Sequence, residues 1–311
     1  MTDELTRAAT WQQIGRWQVS SELFLDAIFT GRCNRDCKYC IARTKRFCEE
    51  DYGKWKETLE KAFDLFPIDS VVILGGEATI DPLFWDKLSL VEQQVRRHQA
   101  KRIVLTTNGV QLTEPDFLER LCTSGISSVN LSRMHDDQEV NDRIFGDSTP
   151  TRKQIRQIHD ALHAAGKTLR LNVNVWRGNL DTAETMERFT DCFSGCCDAI
   201  KFSPLMETSM FDVTPAVDAF TQVRALQDDE IRIIYDRFVS RQKLLRREHN
   251  VLGFVDYAEA DRGGQLVLLK YAQVEDKYDR EHVIPTLKLY PNGCLSNEWS
   301  FEKDILKQLE S

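Results

Sequence analysis

Residues 22–40 read Glu22-Leu-Phe-Leu-Asp-Ala-Ile-Phe29-Thr-Gly31-Arg-Cys33-Asn-Arg-Asp-Cys37-Lys-Tyr39-Cys40. The first eight alternate in the manner of a buried strand, and Thr30-Gly31-Arg32 leads it into a loop carrying three cysteines. Reading outward, a helix is expected over 53–66, with Trp55, Leu59, Ala62, Phe63 and Phe66 on one stripe. Ser70-Val-Val-Ile-Leu74 is a short apolar strand ending in Gly75-Gly76, and a helix over 81–98 follows it. The strand Arg102-Ile-Val-Leu-Thr106 ends at Asn108-Gly109, and a helix over 114–124 precedes the strand Ser128-Val-Asn-Leu-Ser132. Helices over 152–165 and 182–193 alternate with strands over 169–176 and 199–202. Strand and helix thus alternate about six times over 23–203, which calls for right-handed βαβ units around a parallel sheet. Periodicity alone leaves open whether that sheet is doubly wound or a full or partial barrel. In either case ligands collect at the C-terminal strand ends, where Cys33, Gly75, Asn108, Ser132 and Ser203 fall.

The chain has 311 residues, 41% hydrophobic and 29% charged, which is globular composition with enough length for a sizeable core. Lys and Arg number 41 against 49 Asp and Glu, a net charge of −8, so a broad electrostatic footprint for nucleic acid or acidic lipid is not expected. No apolar run approaches the ~20 residues of a membrane span. The first ten residues carry Asp3 and Glu4 and no apolar core of a secretory signal, so a cytoplasmic location is expected. The pattern changes after about residue 211. Residues 215–248 read as a long helical stretch rich in Arg, Lys and Asp. Short β-like runs follow at 251–257, 265–271 and 286–290, with a hairpin signal at Pro291-Asn292-Gly293 and a last helix over 301–310. The first 22 residues read as a short extension with a helical entry around Trp11 to Trp17.

Cys33, Cys37 and Cys40 form a C-x3-C-x2-C loop after a strand. Three thiolates on one short loop suit three corners of an iron–sulfur cube and leave one iron without a protein ligand. An open coordination position is the mark of a catalytic metal site. Zinc is the competing reading, and it needs a fourth ligand from elsewhere. Beyond the loop, Leu74-Gly75-Gly76-Glu77 ends the second strand with room for close backbone approach and a carboxylate able to pair with an ammonium group. Thr106-Thr-Asn-Gly109, Leu131-Ser132-Arg133, Asn172-Val-Asn174-Val-Trp-Arg-Gly178-Asn and Lys201-Phe-Ser-Pro204-Leu-Met206 end the strands that follow.

At these residues the sequence resembles the radical S-adenosylmethionine (SAM) superfamily, whose signature is C-x3-C-x-aromatic-C, with Tyr39 as the aromatic residue. The resemblance covers 23–205, and its markers arrive in order at successive strand ends. It implies an α/β fold, a partial (β/α)6 TIM-like barrel over 23–211 with a small α+β cap over 212–311. It implies one 4Fe–4S cluster on Cys33, Cys37 and Cys40, whose unique iron chelates the amino and carboxylate groups of SAM. Reductive cleavage of SAM would then give a 5′-deoxyadenosyl radical that abstracts hydrogen from a substrate. The SAM contacts implied are the Tyr39 backbone, Gly75, Gly76 and Glu77, which match the family's GGE motif, together with Asn108, Ser132, Asn174 and Leu205. Arg133 and His135 at the mouth of the site, and Asn297 beyond the barrel, are candidate substrate contacts.

Nine cysteines are present, and the C-terminal stretch Leu287–Trp299 resembles the hairpin of SPASM or twitch extensions, which bind auxiliary clusters. Here only Cys294 follows the barrel, while Cys192, Cys196 and Cys197 precede its last strand. They read as buried free thiols, and the cap as a degenerate extension that excludes water. The expected substrate is a small biosynthetic molecule derived from a nucleoside, sugar or amino acid. The alternatives are a ribosomal peptide or, from another class, a non-catalytic iron–sulfur or zinc scaffold or sensor. Flavodoxin or ferredoxin is expected as electron donor, with no nucleic-acid or membrane partner.

Overall fold

The computed structural model describes residues 11–44, 48–206, 208, 211–251, 255–271 and 282–309, the side chains of 248–251 and 255–257 excepted. Strand β1 is Trp11–Ile14 and β2 is Trp17–Ile28. Helix α1 (Tyr52–Leu65) leads to β3 (Ile68–Leu74), α2 (Phe84–His98) to β4 (Arg102–Thr107), and α3 (Pro115–Thr123) to β5 (Ser128–Ser132). Two helices, α4 (Gln138–Phe145) and α5 (Arg152–Ala164), precede β6 (Thr168–Val175), and α6 (Ala183–Cys192) precedes β7 (Ala199–Pro204). Then come α7 (Pro215–Arg224), α8 (Asp228–Arg241), β8 (Arg246–Val251), β9 (Val255–Arg262), β10 (Gln265–Lys270), β11 (Val283–Leu289), β12 (Leu295–Ser296) and α9 (Ile305–Leu309).

Strands β2 to β7 pair in parallel with their sequence neighbours, as a partial (β/α)6 barrel requires. The sheet does not close; its order is β12-β11-β2-β3-β4-β5-β6-β7-β10-β9-β8, with β1 on β2. Side chains alternate along each strand. On β6, Leu169, Leu171, Val173 and Val175 are buried against the helices, while Arg170, Asn172 and Asn174 line the concave face. On β7, Ile200 and Phe202 are buried, while Lys201 and Ser203 face the interior. Helix α1 starts where the Asp51 side chain accepts the Lys54 N–H at 3.0 Å. It seals the outer layer with Trp55, Leu59, Ala62 and Phe63, each worth about 1.5–3 kcal/mol for the larger side chains.

Three expectations change. The stretch around Trp11 to Trp17 is a β-hairpin: Gly15 turns it at φ +55°, and Trp17 and Val19 alternate into the core. Residues 215–248 are two helices followed by the start of β8, because the chain leaves α7 in extended conformation at Ala225 and resumes helix at Asp228. The residues after 211 also extend the barrel sheet on both sides, β10 pairing in parallel with β7 and β11 with β2. The hairpin at Pro291-Asn292-Gly293 is present. Tyr290 N–H donates to the Cys294 carbonyl at 2.9 Å, and Gly293 supplies φ +80°.

Candidate active site

The cysteine loop begins where β2 ends and is tied down at several points. Asp36 N–H donates to the Phe145 carbonyl at 3.0 Å, docking the loop on the C-terminus of α4. Arg35, whose side chain is nearly buried, donates to its neighbour Asn34 and to the Ser148 carbonyl and pairs with Asp147 at 3.4 Å. Cys40 N–H reaches back to the Cys37 carbonyl at 3.3 Å, closing a turn that brings the two cysteines to one side. Tyr39 stacks on Trp176 with ring centroids 5.4 Å apart and meets Phe145 edge-on at 6.3 Å. Cys37, Met134, Phe145, Trp176 and Leu205 form one small buried cluster beneath it. Partial desolvation at the loop surface pushes the Cys33 thiol up to about 11, and burial pushes Cys37 up to about 12, each raised further by the neighbouring cysteines. Cys40 is raised by burial as well. Without a metal these three side chains are thiols, and ligation would take their protons.

Gly75 and Gly76 serve the approach of the chain to itself. A side chain at Gly75 would meet the Thr30 carbonyl and one at Gly76 the Arg32 carbonyl. Gly76 N–H donates to Thr30 at 2.9 Å and Glu77 N–H to Arg32 at 2.8 Å, so the ends of β2 and β3 are laced together. The lacing aims Glu77 inward. Its carboxylate is 2% exposed and accepts from Thr79 Oγ1 at 2.6 Å, Thr107 Oγ1 at 2.7 Å and Asn108 N–H at 2.7 Å. Asn108 then reaches the cysteine loop, donating to Asn34 Oδ1 at 2.7 Å. Among the described residues no cationic side chain pairs with Glu77.

Ser132, Asn174 and Ser203 stand half-buried at the ends of β5, β6 and β7, with Asn174 and Ser203 in register. Leu205 lies just past β7 in the apolar cluster under Tyr39. Lys201 projects into the same interior, and burial together with the adjacent Arg170 lowers its ammonium to about 7. Arg133 is 1% exposed. Its guanidinium donates to the carbonyls of His135 at 2.7 Å and Pro150 at 3.0 Å and to Gln138 at 3.1 Å, which knits the loops around α4. His135 lies in that loop with Nδ1 accepting the Asp137 N–H at 2.9 Å, and burial lowers its pKa. Asn297 is buried beyond β12, its carbonyl 3.5 Å from Lys288 Nζ. The structure therefore brings Cys33, Cys37, Cys40, Tyr39, Glu77 and Asn108 together. Arg133 and His135 belong to the adjoining loop scaffold, and Asn297 lies on the β11–β12 side. Asn34, Thr79 and Thr107 were not singled out from the sequence. The threonines' only signal was their place beside Glu77 and Asn108.

The remaining cysteines separate. Cys196 and Cys197 precede the start of β7, whereas Cys294 follows the end of β11, and these strands run parallel through the sheet. They stand at opposite ends of the barrel and cannot share one cluster. Cys294 instead packs with Ile28 and Tyr290, with Cys48 against the same group.

Residues 27–189 match the Radical SAM superfamily, and the chain belongs to it. That family of enzymes implies SAM and a 4Fe–4S cluster. The chain is 25% identical over 118 residues to a 7,8-dihydro-6-hydroxymethylpterin dimethyltransferase of Methanocaldococcus jannaschii, covering 36% of this chain and 22% of that protein. It is 28% identical over 163 residues to a PqqA peptide cyclase of Granulibacter bethesdensis, covering 51% of this chain and 41% of that protein. It therefore spans less than half the length of these relatives. The structure of Streptococcus suis SuiB bound to S-adenosylmethionine superposes with a TM-score of 0.60 over 93% of this chain and 66% of that one, at 16% identity, a likeness of fold. Among the described residues no helix is long and apolar enough to cross a membrane.

The residues present fit the implied groups. Cys33, Cys37 and Cys40 lie on one short loop that turns back on itself through the Cys40 N–H to Cys37 carbonyl bond, so three thiolates are on offer to a cluster from one segment. A buried carboxylate with neutral donors and no cation suits the ammonium group of SAM, since an unpaired buried charge is costly.

Proposed function

We propose that Cys33, Cys37 and Cys40 hold one 4Fe–4S cluster, that Glu77 receives the ammonium group of SAM, and that the substrate is a small polar molecule in the barrel interior. The observation that carries this reading is the Glu77 carboxylate, buried without a cation among the described residues and coupled through Asn108 and Asn34 to the cysteine loop. A cluster held there would supply the one-electron reduction that cleaves a C–S bond of the SAM sulfonium into methionine and a 5′-deoxyadenosyl radical. The chain's own part is to orient and to exclude water. Thr79, Thr107 and the Asn108 N–H fix the Glu77 carboxylate before SAM arrives, so its orientation costs little on binding. Tyr39, Phe145, Trp176 and Leu205 keep the loop side dry, which protects a reactive radical. Ser132, Asn174, Ser203 and Lys201 offer hydroxyl, amide and ammonium groups to substrate or to the SAM ribose and carboxylate. A flavodoxin- or ferredoxin-like protein would deliver the electron on the side of the exposed Cys33.

A ribosomal peptide is the second reading, favoured by the match to a PqqA peptide cyclase over half of this chain. The experiment is anaerobic incubation of the iron–sulfide-reconstituted protein with SAM and dithionite. Formation of 5′-deoxyadenosine, lost in Cys37→Ala, is the expected result. A protein loaded with iron that yields none would contradict the reading and leave a scaffold or sensor.

A further inference from the structure

The trio of His159, His163 and Asp198 lies away from the cysteine loop. His159 and His163 are four residues apart on α5, so their rings share one face of the helix, with centroids 5.7 Å apart. Asp198 is the residue before β7, at the end of the barrel opposite the strand C-termini. His159 Nε2 lies 3.4 Å and His163 Nδ1 3.8 Å from the same Asp198 oxygen, Oδ1. These separations are long for a charge-assisted hydrogen bond, which closes to about 2.7–2.9 Å. They are close to the roughly 3.4 Å between two ligand atoms that sit about 2.05 Å from one tetrahedral zinc.

The surroundings complete the pattern. The other Asp198 oxygen accepts the Leu169 N–H at 2.7 Å, and Asp198's own backbone bonds Leu169 and Leu266, so the carboxylate is fixed between β6 and β10. His159 Nδ1 is buried without a hydrogen-bond partner among the described residues, 3.5 Å from an Asp160 oxygen that Arg156 engages at 3.1 Å, so the orientation of the ring is held by burial rather than by a bond to Asp160. His159 is half-buried and His163 is exposed, which leaves the fourth position to water.

We propose that His159, His163 and Asp198 bind one divalent transition-metal ion, zinc by preference, with a water as fourth ligand. It would be a structural clasp between α5 and the entry of β7. Its place at the N-terminal end of the strands suits stability rather than chemistry. The inference is independent of the radical reading.

The test uses the tag-free, cluster-reconstituted enzyme, dialysed with zinc and desalted under anaerobic conditions. One zinc per chain is expected in the wild type and none in His163→Ala or Asp198→Asn, with iron content unchanged. A wild type that retains no zinc, or variants that retain as much as the wild type, would overturn it. Cobalt substitution of the wild type gives a readout that needs no variant. Tetrahedral d–d bands without thiolate-to-cobalt charge transfer support the site, and a thiolate charge-transfer band places the ion on cysteines and overturns it. Saturating zinc should also raise Tm by about 5 °C in the wild type alone.

Discussion

Glu77 decides more than any other residue outside the cysteine loop. Its carboxylate is buried and fully engaged by neutral donors, yet among the described residues it meets no cation. An interaction of this charged type is worth about 1.5–3 kcal/mol, or roughly 10–150-fold in affinity. Glu77→Gln keeps the shape and most of the hydrogen bonds, so its iron content should match the wild type while its SAM dissociation constant rises by about that factor. Isothermal titration under anaerobic conditions reads the change; an unaltered constant would remove Glu77 from the SAM site. The sequence made Glu77, Gly75 and Gly76 visible through their motif, but not what the glycines do. They admit the Thr30 to Arg32 backbone, and only the crossing of two strand ends in space reveals that.

Among the elements, the apolar strands and the longer helices were legible because their stripes and runs follow the periods that burial imposes. Helix α4 was not. It is eight residues long, largely polar, and stabilised by Asp137 at its start and Gly146 at its end rather than by an apolar stripe. Yet it positions the site, since Phe145 holds the cysteine loop and Arg133 is consumed in bracing its surroundings. Strand β7 carries a pH signature of its own. Lys201 titrates at about 7 in the folded chain, through desolvation and then the neighbouring Arg170, against 10.5 ordinarily. Between those values the folded chain holds one proton fewer than the unfolded chain, so this group's contribution to stability improves as pH rises. The Tm of the wild type relative to Lys201→Met should therefore increase from pH 7 to pH 9. A difference that stays flat would show that Lys201 is well solvated in the interior.

At the scale of the whole molecule, the parallel core follows from local alternation, but its completion does not. β11 joins β2 across some 260 residues of chain, with Thr286 opposite Phe24 and Leu289 opposite Ala27, and no local pattern records that pairing. Ile284, Leu287, Leu289 and Ile305 share one continuous core with Val71, Leu171 and Val267. Cluster-free protein in urea should accordingly unfold in a single cooperative transition. Two separated transitions would mean that the C-terminal segment folds as a unit of its own. The whole account rests on three cysteines and a carboxylate converging at the ends of β2 and β3. The most direct test is the EPR spectrum of the reconstituted, dithionite-reduced protein recorded with and without SAM. A reduced 4Fe–4S signal that shifts when SAM is added is the predicted result, because SAM would ligate the iron that the three cysteines leave open. A signal that SAM leaves unmoved, or no iron–sulfur signal at all, would contradict it.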